Sequence, residues 1–367
     1  MRACVIGGGL SGSLLAWRLA LAAGRNWTID LFVGPAGRTD ATAASGGAVR
    51  AYENDPQQRR LAIDSLAELL ASRTLRAWAG FLATGSTYLR ADATGLPAAV
   101  AEIDNALPGS ARLASAADLE IIGWAGVPDA ATAVVEESAG YLSPARLRDS
   151  VLADGALHRR VTVREVAVDN VRPLDHGTIA CTGAGEAREY DLVIAATGPW
   201  TGAFLRASGL PVEGYRTKGI QYAVHPANGW RPTAFVDETT GLFGRPTADG
   251  GMLLGLPTEL WDVAPDVRSD DPGLRDHAAA LARERFPRLD IGPAGRACSQ
   301  ADCYCVPPVL TLRPIDDGLF TFTGGSGGSA KTALAASRRA AADLVDNVAE
   351  AGQPRELTPS GTRRGQP

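Results

Sequence analysis

The stretch Ala3-Cys4-Val5-Ile6-Gly7-Gly8-Gly9-Leu10-Ser11-Gly12, continued by Ser13 to Ala23 (SLLAWRLALAA), decides the fold. A short apolar run enters a glycine turn and leaves it as an alanine- and leucine-rich segment with the composition of a buried helix. Thr28 to Val33 then reads as a second strand, completing the strand, turn, helix, strand order of a parallel βαβ unit. Gly7, Gly9 and Gly12 hold the Gly-x-Gly-x-x-Gly spacing, with Leu10 and Ser11 between the last two. The first glycine permits a tight turn, the second lets the backbone approach a pyrophosphate, and the third lets helix and strand pack closely. The helix N-terminus offers free N–H groups and a partial positive charge to the diphosphate. A bound dinucleotide is the expectation. One position departs from the pattern. Val33 stands where an acidic residue would hold the ribose hydroxyls, and Asp30 belongs to the opposite face. Either Arg38 or a backbone group takes that role, or the adenosine is held less tightly.

Beyond this unit the chain alternates between two kinds of structure. Pro56 to Ala83 carries helical spacing, and Ser143 to Ala153 opens with a capping serine and a proline at the first helical position. Val161 to Val168 and Tyr190 to Thr197 read as strands, the second apolar enough to be central in a sheet covered on both faces. Past Pro211, alternation in Gly219 to Val224, Thr233 to Val236 and Met252 to Leu256 predicts antiparallel strands, with a helix over Pro272 to Arg285. Leu319 to Thr323 is again a strand, followed by a glycine loop and an alanine-rich helix from about Ala330 to Ala349. At 367 residues, two interleaved domains are expected. Residues 1–85, 139–213 and 296–352 would form a Rossmann-type α/β domain on a parallel sheet, and 86–138 with 214–295 an antiparallel-sheet substrate domain. The segment 86–138 carries no motif, and 353–367 reads as a mobile tail.

Composition excludes several classes. A net charge of -5 with scattered arginines gives nucleic acid nothing to bind, and no apolar run spans a membrane. No signal segment precedes the glycine loop, so a soluble cytoplasmic protein is expected. Five cysteines, an odd and unevenly spaced set, argue against a disulfide framework, and no cysteine or histidine pairing at ligand spacing indicates a metal.

Four further segments, with the glycine loop, resemble the FAD-dependent amino-acid and amine oxidase family that includes glycine oxidase and monomeric sarcosine oxidase. They are Ala44-Ser45-Gly46-Gly47-Ala48-Val49-Arg50, Gly140-Tyr141-Leu142-Ser143-Pro144, Ala195-Ala196-Thr197-Gly198-Pro199-Trp200 and Gly324-Gly325-Ser326-Gly327-Gly328-Ser329-Ala330-Lys331. The resemblance implies FAD. It places Ser45 and Gly46 beside the flavin, Val166 at the adenine, and Thr197, Gly198 and Trp200 in the turn under the adenosine. It also implies that Arg50 grips a substrate carboxylate through paired charge-assisted hydrogen bonds, with Lys331 as the second cation. Gly325 to Ser329 would surround the flavin pyrimidine. Cys303, in Cys303-Tyr304-Cys305, lies where some relatives attach the flavin covalently. A thioether to the ring and a free buried thiol both remain open for it.

Two departures from the family bear on function. Leu253 occupies the place of a lysine that activates oxygen in sarcosine oxidase, and Gly328 that of a histidine, a change expected to leave room for a bulkier substrate. The resemblance implies hydride transfer to flavin from the carbon next to nitrogen of an N-substituted glycine or a secondary or cyclic amino acid. Some relatives serve natural-product biosynthesis. The electron acceptor is oxygen or, as Leu253 suggests, another molecule. A non-catalytic flavin-binding subunit is the reading from a different class.

Overall fold

The computed structural model describes residues 1–35, 40–174, 179–183, 186–268, 270–325 and 327–351. Arg38, Ser326 and the segment 353–367, all singled out above, lie outside them.

The opening segment forms the central strand of a six-stranded sheet. In spatial order the strands are Thr311–Asp316, Leu319–Thr323, Leu192–Ala195, Arg2–Ile6, Thr28–Phe32 and Val161–Arg164. All neighbours run parallel except the edge hairpin of Thr311–Asp316 with Leu319–Thr323. The apolar runs are continuous because both faces are covered. Ala3, Val5, Leu192 and Ile194 enter a core with the helices Leu10–Ala22, Pro56–Ala71, Pro144–Ala153 and Ala333–Ala351. Cys4, Ile6, Val193 and Ala195 point the other way, onto Tyr190, Phe204 and Leu205. Asp30 is on that second side, as expected, where it accepts from the Tyr190 hydroxyl at 2.6 Å and pairs with Arg164 at 3.2 Å.

A second sheet has eight strands in the order Arg296–Cys305, Tyr215–His225, Met252–Gly255, Phe243–Pro246, Ala234–Asp237, Ser86–Arg90, Thr132–Glu136 and Ala111–Ser115. It is antiparallel apart from Ala234–Asp237 against Ser86–Arg90. One face packs on the helix Pro272–Arg285 through Trp124, Phe235 and Phe286, with ring centroids 4.8 Å apart for both Trp124–Phe286 and Phe235–Phe286. The motif-free segment 86–138 supplies three of its strands. One boundary moves. Arg296–Cys305, expected to open the third segment of the Rossmann-type domain, instead pairs along its length with Tyr215–His225 in this second sheet. Its mixed polar and small residues gave no alternation by which to assign it. Among the described residues, no helix is long and apolar enough to cross a membrane, and no group of His, Cys, Asp or Glu could hold a metal ion.

Ile6, Phe32, Ala196 and Thr323 stand at or just beyond the carboxyl ends of the parallel strands, and all four line one cavity of about 1280 Å³. That is where open α/β sheets bind ligands. The opposite wall is the second sheet, through Tyr222, Arg245, Leu253 and Asp302.

Candidate active site

The glycine loop is shaped by two different requirements. A Cβ on Gly7 (φ +125°) would stand 2.1 Å from Ala196 O, and one on Gly12 the same 2.1 Å from Gly7 O, so packing of turn against strand demands both. A Cβ on Gly9 would meet only Thr42 Oγ1, at 3.3 Å. Its bareness faces the cavity, as close approach of a ligand requires. The following helix has no cap from Gly9; the Leu10 N–H donates to Thr42 Oγ1 at 2.9 Å. Leu10 and Ser11 line the cavity with Gly7 and Gly9, and Val33, Val166, Thr197, Gly198 and Trp200 extend the lining at the same end. Trp200 also donates to Asp266 at 3.3 Å, tying this turn to the segment after the second sheet's Met252–Gly255. Val33 offers only an apolar surface, whereas Glu165, Asp169 and the Asp40–Arg148 pair (3.0 Å) put charge on the same wall.

At the far end Arg50 and Lys331, 281 positions apart by number, meet on one carboxylate that sequence reasoning missed. Glu53 Oε1 is 2.7 Å from Lys331 Nζ and 2.8 Å from Arg50 Nη2. Arg50 also donates through Nε to Tyr52 O at 3.1 Å and lies 4.8 Å from the Tyr88 ring centroid. Arg50 and Lys331 line the cavity and Glu53 stands behind them. Burial alone would raise the Glu53 carboxyl, but Arg50 and Lys331 outweigh it and hold it below its ordinary value. Burial, then the Arg50 charge, lowers the Lys331 ammonium. Glu136, buried beside them, accepts from the backbone N–H of Ala51 at 2.7 Å and of Tyr52 at 2.9 Å, and burial raises its carboxyl. Glu136 thereby fixes the backbone between Arg50 and Glu53.

The second glycine loop explains how Lys331 reaches this place. Gly324 and Gly325 take φ +84° and +121°, and the Gly325 N–H donates to Cys305 Sγ at 3.2 Å. Ser329–Lys331 is a 3-10 turn before the helix Ala333–Ala351, so Lys331 sits ahead of the helix and is buried. A Cβ on Gly328 would stand 2.2 Å from Lys331 Nζ. The room left by Gly328 is therefore filled by this ammonium and is not open to a bulkier substrate. Cys303 lines the cavity, but burial pushes its thiol up to about 12, so it is held protonated. Neighbouring Asp302 also lines the cavity, accepts from the Cys303 N–H at 2.8 Å, and is raised by burial to about 6. Ser45 and Gly46 lie where Leu253 approaches, 3.6 Å from a Cβ placed on Gly46.

A family model described as FAD dependent oxidoreductase matches residues 2–343. The chain belongs to that family. No curated sequence matches it. Among solved structures, glycine oxidase from Geobacillus kaustophilus superposes with a TM-score of 0.74 at 19% identity, covering 94% of this chain and 95% of that one. L-proline dehydrogenase from P. horikoshii gives 0.74 at 16% identity, over 94% and 93% of the two chains. Iminodiacetate oxidase from Chelativorans sp. BNC1 gives 0.71 at 18% identity, over 97% of each. At these identities the likeness is one of fold.

The residues of this FAD-dependent oxidoreductase fit its cofactor. The bare Gly9, the helix without a side chain at its cap position and the continuous cavity running to Lys331 suit a long ligand with a diphosphate. Glu53 had a sequence signal, its position three residues after Arg50, but an Arg-x-x-Glu pair commonly reads as a solvated one. Arg245, on the second sheet, had none.

Proposed function

We propose that this enzyme oxidises the carbon–nitrogen bond of an amine that carries a carboxylate, an N-substituted glycine or a secondary or cyclic amino acid. The observation that carries the reading is the meeting of Arg50 and Lys331 on the wall of the cavity that begins at the dinucleotide loop. FAD, when bound, supplies the hydride acceptor. Gly7, Gly9, Leu10, Ser11 and Gly12 would hold its diphosphate, Val166, Thr197, Gly198 and Trp200 its adenosine end, and Ser45, Gly46, Gly325, Gly327, Gly328 and Ser329 its ring end. The cofactor-binding domain would then be 1–85, 139–213 and the part of the chain after Cys305, with 86–138, 214–295 and Arg296–Cys305 making the substrate domain.

Arg50 and Lys331 orient the substrate through its acid group. Two cations and Glu53 leave one net positive charge. Among the described residues Nη1 of Arg50 has no partner and Lys331 Nζ has none besides Glu53, and Glu53 and Glu136 hold both cations in place before the ligand arrives. Pre-set donors on the cavity wall contribute orientation without reorganisation. The amine enters neutral, so no side chain need act as a strong base. A free FAD suits Cys303 better than a thioether, because its thiol is held protonated.

The test is Arg50→Ala and Lys331→Ala in FAD-loaded enzyme, with turnover measured on secondary amino acids. Loss of turnover with FAD still bound supports the reading; unchanged kinetics would sink it. Leu253, apolar and buried, favours a second reading in which the acceptor is a molecule other than oxygen. The rate of reoxidation by air separates the two.

A further inference from the structure

Three of the cations lining the cavity have carboxylate partners. Arg50 and Lys331 share Glu53, and Arg148 pairs with Asp40 and Asp149. Lys218 rests on aromatic rings, 4.7 Å from the Trp261 centroid and 5.9 Å from that of Tyr304. Arg245 differs from all of these. It lines the cavity from the middle of the second sheet, in cross-strand register with Leu253, and no carboxylate among the described residues reaches it at ion-pair distance.

Its surroundings hold the guanidinium without neutralising it. Nε donates to Gly46 O, Nη1 donates to Pro246 O at 2.9 Å, and the group lies 4.3 Å from the Tyr141 ring centroid. Nη2 has no partner among the described residues. Burial lowers its pKa, and the nearby Arg296 adds a like charge, against which Tyr141, Tyr222 and Asp249 act. A half-buried guanidinium held by two carbonyls and a ring, with no carboxylate among the described residues at ion-pair distance, is completed by an anionic ligand. Its bond to Gly46 O and its pairing with Leu253 place the guanidinium beside residues of the proposed ring end of the cofactor site.

We propose that Arg245 is a second anion site of the cavity, separate from the Arg50–Glu53–Lys331 cluster, which takes a negatively charged oxygen or ring edge delivered by a bound ligand. The proposal rests on the cofactor reading above and adds a residue to it. Two ligands can deliver that charge: a carboxylate of the substrate other than the one held by Arg50 and Lys331, or the cofactor ring when it gains electrons.

The experiment uses wild-type, Arg245→Met and Arg245→Lys enzyme loaded with FAD. Acetate is titrated calorimetrically with acetamide as the neutral control, and the midpoint potential of the flavin is measured in parallel. If a carboxylate is the ligand, Arg245→Met weakens acetate binding about tenfold or more, Arg245→Lys recovers most of it, and acetamide distinguishes none of them. If the ring is the ligand, acetate affinity holds and the potential of Arg245→Met falls by roughly 30 mV, a tenfold loss for a two-electron couple. Unchanged acetate affinity together with an unchanged potential overturns the proposal. A preparation that cannot be loaded with FAD would instead overturn the cofactor reading, and a loaded one that turns over no amino acid the substrate reading, because the acetate titration needs no turnover and can be repeated on the protein without FAD.

Discussion

Replacing Glu53 with glutamine isolates the group on which the two cations converge. Its Oε1 is 2.7 Å from Lys331 Nζ and 2.8 Å from Arg50 Nη2, with side-chain exposures of 11% for Glu53, 11% for Arg50 and 7% for Lys331. Removing one partner of a buried ion pair costs about 3–5 kcal/mol, because the other charge is left uncompensated. Two cations lose the same counter-charge here, while the glutamine oxygen still accepts one hydrogen bond, worth about 1 kcal/mol. A net destabilisation of about 3 kcal/mol follows. Urea unfolding of the FAD-loaded proteins should show it as a lower midpoint at unchanged slope. Adding Lys331→Met to Glu53→Gln should recover about half or more of the loss, since the two residues share one interaction. The pH dependence has a definite sign. The folded carboxyl lies below its ordinary 4.5, so its contribution is present above 4.5 and is lost as pH falls through the folded value. Glu53→Gln should therefore show the shallower acid decline. A midpoint change equivalent to less than about 0.5 kcal/mol, or no rescue by Lys331→Met, would refute the shared-carboxylate reasoning.

Four other outcomes are expected. Gly12→Ala puts a Cβ 2.1 Å from Gly7 O and should yield protein unable to retain FAD, measured by flavin absorbance after gel filtration. Gly328→Ala pushes a Cβ to 2.2 Å from Lys331 Nζ, at a backbone φ of -115° that alanine accepts. It should lower amino-acid turnover about 10- to 100-fold, with FAD retained, by loosening the ammonium from Glu53. Asp302 has a folded value of about 6 against an ordinary 3.8, so the folded state holds its proton more tightly and stability falls as pH rises between them. Asp302→Asn should remove that slope, amounting to about 3 kcal/mol at most, in urea unfolding at a series of pH values. Cys303→Ser should leave the yield of FAD released by acid precipitation unchanged.

The βαβ unit was legible because each of its strands is buried on both faces and so reads as an uninterrupted apolar run, with the glycines marking the turn between. The helix Pro272–Arg285 was equally plain, since Asp271 caps it and Pro272 starts it. Segment 86–138 was not. Its strands are at most five residues long, and Ala111–Ser115 exposes most of its side chains at a sheet edge. The proximity of Arg50 to Lys331 came through resemblance, as no local pattern joins residues so distant in the chain. Glu53 escaped notice because burial, which turns an ordinary i, i+3 pair into a buried bridge, is a tertiary property. Arg245 escaped for a related reason: Gly244-Arg245-Pro246 reads as an exposed turn until Leu253 is paired beside it. The error at Gly328 was one of occupancy. A missing side chain was read as free volume, and the neighbouring Lys331 takes that volume.

The most direct measurement is the visible spectrum of the FAD-loaded enzyme, recorded without oxygen before and after adding N-substituted glycines and cyclic amino acids. Bleaching of the flavin band by at least one of these acids, and not by the corresponding amine lacking the carboxylate, is the expected result. A flavin band that no carboxylated amine bleaches, or a protein that cannot be loaded with FAD at all, would contradict the account.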